Sequence, residues 1–256
     1  MAEPLPKTPS FRLTGRRAIV TGAGRGLGRA CAAALADAGA KVCLVARTRS
    51  EIASVAEDIR AQGGKAEAHE LDLTDTDAVT GFFRSQAPFD VLVNNAGTNR
   101  PKSIFDVTPE DYDAVFRLNV RSLVLASQQC AARLRDAGRS GSIIHIGSQM
   151  GHVGGPERTL YCASKWAVEG FSKALALDLA PYGIRSNTIA PTFIETPLTR
   201  PYFEDIAFRE SVLAKIKLGR LGQVEDIMGA VIYLASEASA LVTGTSLVVD
   251  GGWTAD

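Results

Sequence analysis

The chain has 256 residues, 46% of them hydrophobic, which is enough for one large core or two small ones. Lysine plus arginine and aspartate plus glutamate both number 28, so the formal net charge is zero, and no basic stripe indicates a nucleic-acid binder. The four cysteines form no CxxC pair and show no metal-ligand spacing, which is typical of reduced, mostly buried thiols in a cytosolic protein.

Residues 1–15 are predicted to form a proline-containing arm that leads into the rest of the chain. The arm lacks the apolar run of a signal peptide. No segment of the sequence approaches the roughly 20 apolar residues that a helix needs to span a bilayer. We therefore expect a cytoplasmic protein without a membrane segment.

Short apolar strands alternate with helices along the remainder of the sequence. Strands are predicted at residues 17–21, 41–46, 65–71, 90–94, 142–146, 184–189 and 246–249. Helices are predicted at about residues 26–38, 49–61, 75–86, 109–137 and 160–182, with a further one inside 223–253. This alternation predicts βαβ units, and the continuous apolar strands predict a sheet that is covered on both faces. The expected fold is α/β, a single-domain, Rossmann-like doubly wound parallel sheet of about seven strands over residues 16–256.

A glycine-rich turn, Thr21-Gly-Ala-Gly-Arg-Gly-Leu-Gly28, joins the first strand to the first helix. Glycines let the backbone approach a pyrophosphate, and a helix N-terminus offers unpaired N–H groups and the positive end of a dipole. The spacing is TGxxxGxG rather than GxGxxG, because position 27 is leucine. A purely structural turn is the alternative, but the flanking strand and helix favour a dinucleotide site.

The residues after the second and third strands indicate which dinucleotide is bound. An NAD-preferring protein usually has an acidic residue at the end of the second strand, where this chain has Ala46 and Arg47. Arginine can accept a 2′-phosphate, with help from Arg25, so NADP(H) is favoured and NAD(H) stays possible. Asp72 is expected to accept a hydrogen bond from the adenine amino group. The alternatives are a solvated loop position for Arg47 and a turn cap for Asp72.

Tyr161 and Lys165 lie four residues apart on a predicted helix and therefore share one face. A phenol with a pKa of about 10 exchanges protons poorly at neutral pH, and a nearby ammonium group would lower that pKa.

Residues 21–28, the Asn94-Asn-Ala-Gly97 stretch, Asn119, Ser148 and Tyr161-x-x-x-Lys165 together resemble the short-chain dehydrogenase/reductase family in its single-domain form. The resemblance extends from the first strand to Val249-Asp-Gly-Gly252. It implies an NAD(P)-dependent oxidoreductase acting on an alcohol–carbonyl pair, usually as a homotetramer.

The resemblance also implies roles for individual residues. Tyr161 would exchange a proton with the substrate oxygen, and Lys165 would lower its pKa and hydrogen-bond the nicotinamide ribose. Ser148 would orient the same oxygen, and Asn119 would hold a water of a proton relay. The cofactor contacts expected from the motifs and the resemblance together are Gly22, Gly24, Arg25, Gly26, Leu27, Arg47, Asp72, Leu73, Asn95, Ala96, Gly97, Tyr161, Lys165, Pro191, Thr192, Ile194 and Thr196.

The substrate pocket is predicted to follow the fifth strand, under a lid over about residues 192–217. The expected substrate contacts are Ser148, Met150, His152, Tyr161 and Phe193. This mixture fits a small polar carbonyl, a sugar or a polyol as well as an apolar ketone, and no catalytic metal is expected. Thr192 departs from the family's usual Pro-Gly and would narrow the pocket or add a hydroxyl contact.

Three other functions are weighed against this one. A 3-oxoacyl thioester (acyl-carrier-protein) reductase is disfavoured because the helix after the catalytic lysine lacks the family's basic docking residue, although Arg133, Arg135 and Arg139 keep it open. A non-catalytic NADP-binding protein would need neither Tyr161 nor Lys165. A sugar-nucleotide epimerase would need a larger C-terminal domain.

Overall fold

The computed structural model describes residues 4–197 and 199–255. Within them, seven parallel strands form one sheet in the order β3-β2-β1-β4-β5-β6-β7. The strands are β1 (Arg17–Thr21), β2 (Lys41–Ala46), β3 (Lys65–Glu70), β4 (Val91–Asn94), β5 (Gly141–Ile146), β6 (Ile184–Pro191) and β7 (Ser246–Val249). The α-helices are α1 (Gly26–Asp37), α2 (Arg49–Ala61), α3 (Thr76–Ser85), α4 (Pro109–Phe116), α5 (Ser122–Asp136), α6 (Thr159–Leu179), α7 (Ile206–Leu213) and α8 (Glu225–Ala235).

The sheet is buried on both faces because successive strand residues point to opposite sides. Ala18 and Val20 of β1 belong to one hydrophobic cluster, which α1, α2 and α8 cover. Ile19 belongs to a second cluster on the opposite face, which α3 and α5 cover. The doubly wound, Rossmann-like sheet predicted from the sequence is therefore confirmed.

The order of the strands reverses between β1 and β4, and this position determines where a ligand can bind. Successive strands run away from β1 toward β3 in one direction and from β4 toward β7 in the other. The pairing of Thr21 with Val45 and of Asn94 with His145 brings the carboxyl ends of these strands to one edge of the sheet. In open α/β sheets ligands bind in the crevice at such a switch point.

The helix predicted over residues 109–137 is interrupted in the structure. Thr108 caps α4 through a capping box with Asp111, and Pro109 occupies its first turn. A π-helical turn over Arg117–Arg121 then separates α4 from α5 and carries Asn119. Hydrophobic periodicity does not reveal the widened turn, because the apolar residues on either side still face the sheet.

The segment that follows β6 forms a small cluster of its own. A 3-10 helix over Arg200–Glu204 and then α7 fold back over the carboxyl edge of the sheet. The partly buried rings of Phe193, Phe203 and Phe208 contact one another there, and Trp253 lies beside Phe193. In the part of the chain that the structure describes, no helix combines the length and apolarity needed to cross a bilayer.

Candidate active site

A cavity of about 630 Å³ opens at the carboxyl edge of the sheet, at the switch point between β1 and β4. Its walls hold all seventeen of the expected cofactor contacts and four of the five expected substrate contacts. The cofactor contacts on the wall are Gly22, Gly24, Arg25, Gly26, Leu27, Arg47, Asp72, Leu73, Asn95, Ala96, Gly97, Tyr161, Lys165, Pro191, Thr192, Ile194 and Thr196. The substrate contacts on the wall are Ser148, Met150, Tyr161 and Phe193.

The glycine turn forms one end of this cavity, and its backbone requires glycine at two positions. Gly22 has a φ of 65°, and a Cβ there would lie 3.0 Å from the Cα of Ala96. A Cβ on Gly28 would collide with the carbonyl oxygen of Gly22, so the first turn of α1 packs directly on the strand end. Asn95 fixes the arrangement by donating from Nδ2 to the carbonyl oxygens of Thr21 (2.9 Å) and Gly22 (3.1 Å).

No side chain caps the N-terminus of α1, which begins after Arg25. Its first N–H groups and the positive end of its dipole therefore face the cavity without a side-chain acceptor. The combination of a glycine cradle and an uncapped helix N-terminus fits a pyrophosphate.

Arg47 and Asp72 lie on the same side of the cavity, at the ends of β2 and β3. Hydrogen bonds from Thr74 lower the pKa of Asp72, and the charges of Arg47 and Arg117 lower it further. The Oδ1 atom of Asp72 accepts from the backbone nitrogen of Thr74 at 2.9 Å and from its hydroxyl at 2.8 Å. Asp72 thus serves as a turn cap and still presents an ionised carboxylate to the cavity.

Ser148 and Tyr161 meet at the other end of the cavity. Ser148 follows β5, and its hydroxyl accepts from the backbone nitrogen of Met150 (3.1 Å) and donates to Oε1 of Gln149 (2.8 Å). Burial raises the pKa of the Tyr161 phenol, while the neighbouring Ser148 hydroxyl and the charge of Arg158 lower it. A serine and a tyrosine hydroxyl beside one another can donate two hydrogen bonds to one substrate oxygen.

Lys165 is buried, and its Nζ donates to the carbonyl oxygen of Ile146 at 2.8 Å. Nζ lies 5.6 Å from the centre of the Tyr161 ring. Desolvation lowers the pKa of Lys165 to about 8, against the opposing charge of Glu169. The lowering of the Tyr161 pKa by Lys165 stays a prediction.

Asn119 connects the π-helical turn to its neighbours. Its Oδ1 accepts from the backbone nitrogen of Thr98 at 2.8 Å, and its Nδ2 donates to Thr98 O at 2.9 Å and to Ser164 Oγ at 3.0 Å. Ser164 in turn donates to the carbonyl oxygen of Tyr161 at 2.8 Å. Asn119 therefore fixes the backbone beside Tyr161, and its role in a water relay stays a prediction.

His152 is the expected substrate contact that the structure does not bring to the cavity. His152 follows the 3-10 turn over Gln149–Gly151, and its imidazole contacts β7. Its Nε2 lies 2.9 Å from Ser246 Oγ and 3.6 Å from Glu169 Oε1. His152 thus lies outside the described cavity wall, and its contact with a substrate stays a prediction.

The sequence interpretation missed two residues of the cavity wall. Arg158, immediately before α6, lines the end that holds Ser148 and Tyr161, and so does Asn99. Asn99 Oδ1 and Thr192 Oγ1 are buried without a hydrogen-bond partner among the described residues, so the cavity is suited to a polar ligand. Arg158 could not be found from its spacing, because no motif marks the loop between Ser148 and Tyr161.

Three possible metal ligands meet elsewhere, on β2 and β3. The ligand atoms of Cys43, Glu67 and His69 lie within 4.8 Å of one another, although they have no metal-like spacing in the sequence. Glu67 is already paired with Lys41 (2.7 Å) and Arg17 (3.3 Å). Burial also raises the pKa of Cys43 to about 12, which disfavours the thiolate that a metal requires.

A dinucleotide cradle and a Ser-Tyr-Lys group at two ends of one cavity define a nicotinamide-dependent oxidoreductase. Comparison with known proteins agrees. A family model described as Enoyl-(Acyl carrier protein) reductase matches residues 22–254. The chain belongs to the short-chain dehydrogenase/reductase family, whose members are NAD(P)-dependent enzymes.

Three similar proteins cover almost the whole chain. D-erythrulose reductase of Gallus gallus is 36% identical over 245 residues, which is 96% of this chain and 98% of that protein. Gluconate 5-dehydrogenase of Gluconobacter oxydans is 36% identical over 248 residues, which is 95% of this chain and 96% of that protein. The crystal structure of a gluconate 5-dehydrogenase from Burkholderia cenocepacia, in complex with NADP and tartrate, matches with a TM-score of 0.92 and 37% identity, over 96% and 98% of the two chains.

Proposed function

We propose that this protein interconverts a secondary alcohol and a ketone on a small polyhydroxylated substrate, by hydride transfer with NADP(H). The observation that carries the proposal is the convergence of Ser148, Tyr161 and Lys165 at one end of a cavity whose other end is the glycine cradle. The relatives named for erythrulose and gluconate support a sugar-like substrate.

The cofactor is NADP(H) in preference to NAD(H). When bound, its nicotinamide would supply or accept the hydride. Residues 22–28 would hold the pyrophosphate, and Arg47, with Arg25, would pair with a 2′-phosphate. Asp72, Asn95, Gly97, Ile194 and Thr196 would complete the site. The relative crystallised with NADP supports this choice.

In the proposed reaction, side chains of the protein would transfer one proton and stabilise one developing negative charge. In the reductive direction the Tyr161 hydroxyl would give its proton to the substrate oxygen while Ser148 donates a hydrogen bond to that oxygen. The positive charge of Lys165 would then stabilise the tyrosinate. Asn119 would keep the tyrosine in place through Thr98 and Ser164. In the oxidative direction the same groups act in reverse.

The proposal extends to the organisation of the chain. Residues 16–256 would form one oxidoreductase domain after an arm over residues 1–15, with the substrate lid over about residues 192–217. The aromatic cluster of Phe193, Phe203 and Phe208 beside the cavity supports a lid there. The protein would be cytoplasmic, which the free state of all four cysteines supports. It would also be a homotetramer, which the exposed side chains of Leu241 and Val248, before and within β7, support.

A 3-oxoacyl thioester reductase is the second function considered, and the surface near α5 disfavours it. The three arginines that could dock a carrier protein are engaged within the chain. Arg133 donates to the carbonyl oxygen of Gln86, Arg135 pairs with Asp136, and Arg139 pairs with the buried Asp90. A carrier protein would have to displace these contacts.

A substrate panel tests the proposal. Alditols, aldonates and ketoses would be assayed with NADP(H) and NAD(H), alongside simple cyclic ketones and a 3-oxoacyl thioester, by following absorbance of the reduced nicotinamide. We expect the highest kcat/KM with a polyhydroxylated substrate and NADP(H). Turnover of the thioester alone, or of no alcohol or ketone at all, would contradict the proposal.

A further inference from the structure

The catalytic end of the cavity contains a cation that no carboxylate neutralises. Arg158 lines the cavity one helical turn before Tyr161, and its guanidinium carbon lies 5.5 Å from the ring centre of Phe193. The rings of Tyr202 and Phe208 are each 5.9 Å away. Within residues 4–197 and 199–255, no hydrogen-bond acceptor or carboxylate pairs with this guanidinium.

The other charges on the cavity wall do not compensate it. Arg100 also lines this end, but it pairs with Asp111 at 3.0 Å, and the same carboxylate holds Lys102 at 2.6 Å. The only carboxylates on the described wall are Glu51 and Asp72, which stand on the side of β2 and β3, at the cofactor end. The catalytic end therefore carries an uncompensated positive charge.

The backbone before α6 holds Arg158 in this position. Glu157 has a φ of 56°, a conformation uncommon for a residue other than glycine, and its carbonyl oxygen accepts from the backbone nitrogen of Lys102 at 2.9 Å. Such conformations persist only where the surrounding structure imposes them, and they cluster at functional sites. The guanidinium is thus held among aromatic rings that attract a cation but leave its five N–H donors available.

We propose that Arg158 binds the carboxylate of a sugar acid, so that the substrate is an aldonate or the corresponding keto acid. The inference rests on the proposed function and selects among the substrates that it allows. A planar guanidinium fork matches a carboxylate and recognises it with two parallel hydrogen bonds. Because Arg158 stands one helical turn from Tyr161, the carboxylate would be held several bonds from the carbon that reacts. The charge of Arg158, which already lowers the pKa of Tyr161, would be partly neutralised by the bound acid.

The experiment compares acids with the alditols that differ from them only at C1. D-Gluconate and D-glucitol form one such pair, and D-galactonate with galactitol and D-xylonate with xylitol form two more. Oxidation by NADP⁺ would be measured for the wild type, for Arg158→Gln and for Arg84→Gln. The last is a matched control, because Arg84 is an exposed residue of α3 outside the cavity.

We expect the wild type and Arg84→Gln to prefer the acid of the productive pair, and Arg158→Gln to reduce that preference by about 10- to 100-fold, mainly through KM. A role of Arg158 in supporting the lid alone would slow both members of a pair equally and leave their ratio unchanged. An unchanged ratio, or a wild type that prefers the alditols, would overturn the inference and leave the proposed function standing.

A binding measurement separates this inference from the proposed function. The protein would be titrated calorimetrically with D-gluconate in the absence of cofactor, so that no oxidation can occur, and with tartrate after saturation with NADP⁺. We expect at least one of these anions to bind the wild type and Arg84→Gln at least tenfold more tightly than Arg158→Gln. Equal affinity of all three proteins, or no binding by the wild type, would overturn the role of Arg158 even if no alcohol were oxidised.

Discussion

Glu169 is predicted to set the pH range of activity through Lys165. It lies one helical turn after Lys165 on α6 and is 6% exposed. Its Oε2 accepts from the Thr188 hydroxyl at 2.7 Å, and its Oε1 has no hydrogen-bond partner in the described part of the chain, with His152 Nε2 at 3.6 Å. The carboxylate charge raises the pKa of Lys165, which burial would otherwise lower further than about 8.

The size of this effect follows from Coulomb's law. Side chains four residues apart on a helix lie about 6 Å apart, and at an effective dielectric constant of about 20 two unit charges then interact by about 3 kcal/mol. Discounted for relaxation and partial hydration, Glu169→Gln should lower the pKa of Lys165 by on the order of one unit. His145, packed on β5, does not offset the change, because burial lowers its pKa to about 3 and it is neutral above that pH.

The assay is kcat/KM for carbonyl reduction by NADPH as a function of pH. Lys165 must be protonated to stabilise a tyrosinate, and its charge is lost as the pH rises through its pKa. The alkaline limb of the profile should therefore move to lower pH by about one unit in Glu169→Gln. Glu57→Gln, which changes an exposed residue of α2, is the control and should not move it. An alkaline limb at the wild-type position in Glu169→Gln would refute the reasoning.

Three further substitutions probe the cofactor site and the scaffold. Arg47→Ala should lower kcat/KM for NADPH relative to kcat/KM for NADH by about 10- to 100-fold, because one charge-assisted hydrogen bond to the 2′-phosphate is lost. Equal losses of kcat/KM with both cofactors would contradict this. Gly28→Ala should lower the free energy of unfolding, measured in urea, by about 1–3 kcal/mol, because the added Cβ would collide with the Gly22 carbonyl oxygen. An unchanged free energy of unfolding would contradict this. Asp90→Ala should cost about 3 kcal/mol or more, because Asp90 is buried and pairs with Arg139 and the backbone nitrogen of Arg17; a loss below about 1 kcal/mol would argue against that network.

The sheet and most helix boundaries could be predicted from the sequence, because a parallel strand buried on both faces is a short, continuous apolar run. The predicted bounds of β1, β2 and β7 agree with the structure to the residue, and so do those of α2. A glycine lies within two residues of at least one end of each of these elements, and this local signal does not depend on tertiary contacts.

The features that the sequence did not reveal depend on contacts between distant residues. His152 follows a 3-10 turn whose residues carry no distinctive pattern, and its imidazole contacts β7. The importance of Arg158 follows from rings at positions 193, 202 and 208, which come near it only in the folded chain. Burial raises the pKa of Tyr161, and the extent of that burial could not be read from its helical spacing to Lys165.

Proton exchange at Tyr161 is the central claim, and one pair of measurements on Tyr161→Phe tests it most directly. The substitution removes the hydroxyl and keeps the ring, so the cavity wall and the cofactor site should stay in place. We predict that turnover of the best substrate falls by at least about 100-fold, within the range attributed to general acid–base catalysis. NADPH binding, measured by quenching of protein fluorescence, should stay within about twofold of the wild type. Turnover close to that of the wild type in Tyr161→Phe, with NADPH binding intact, would contradict the mechanism.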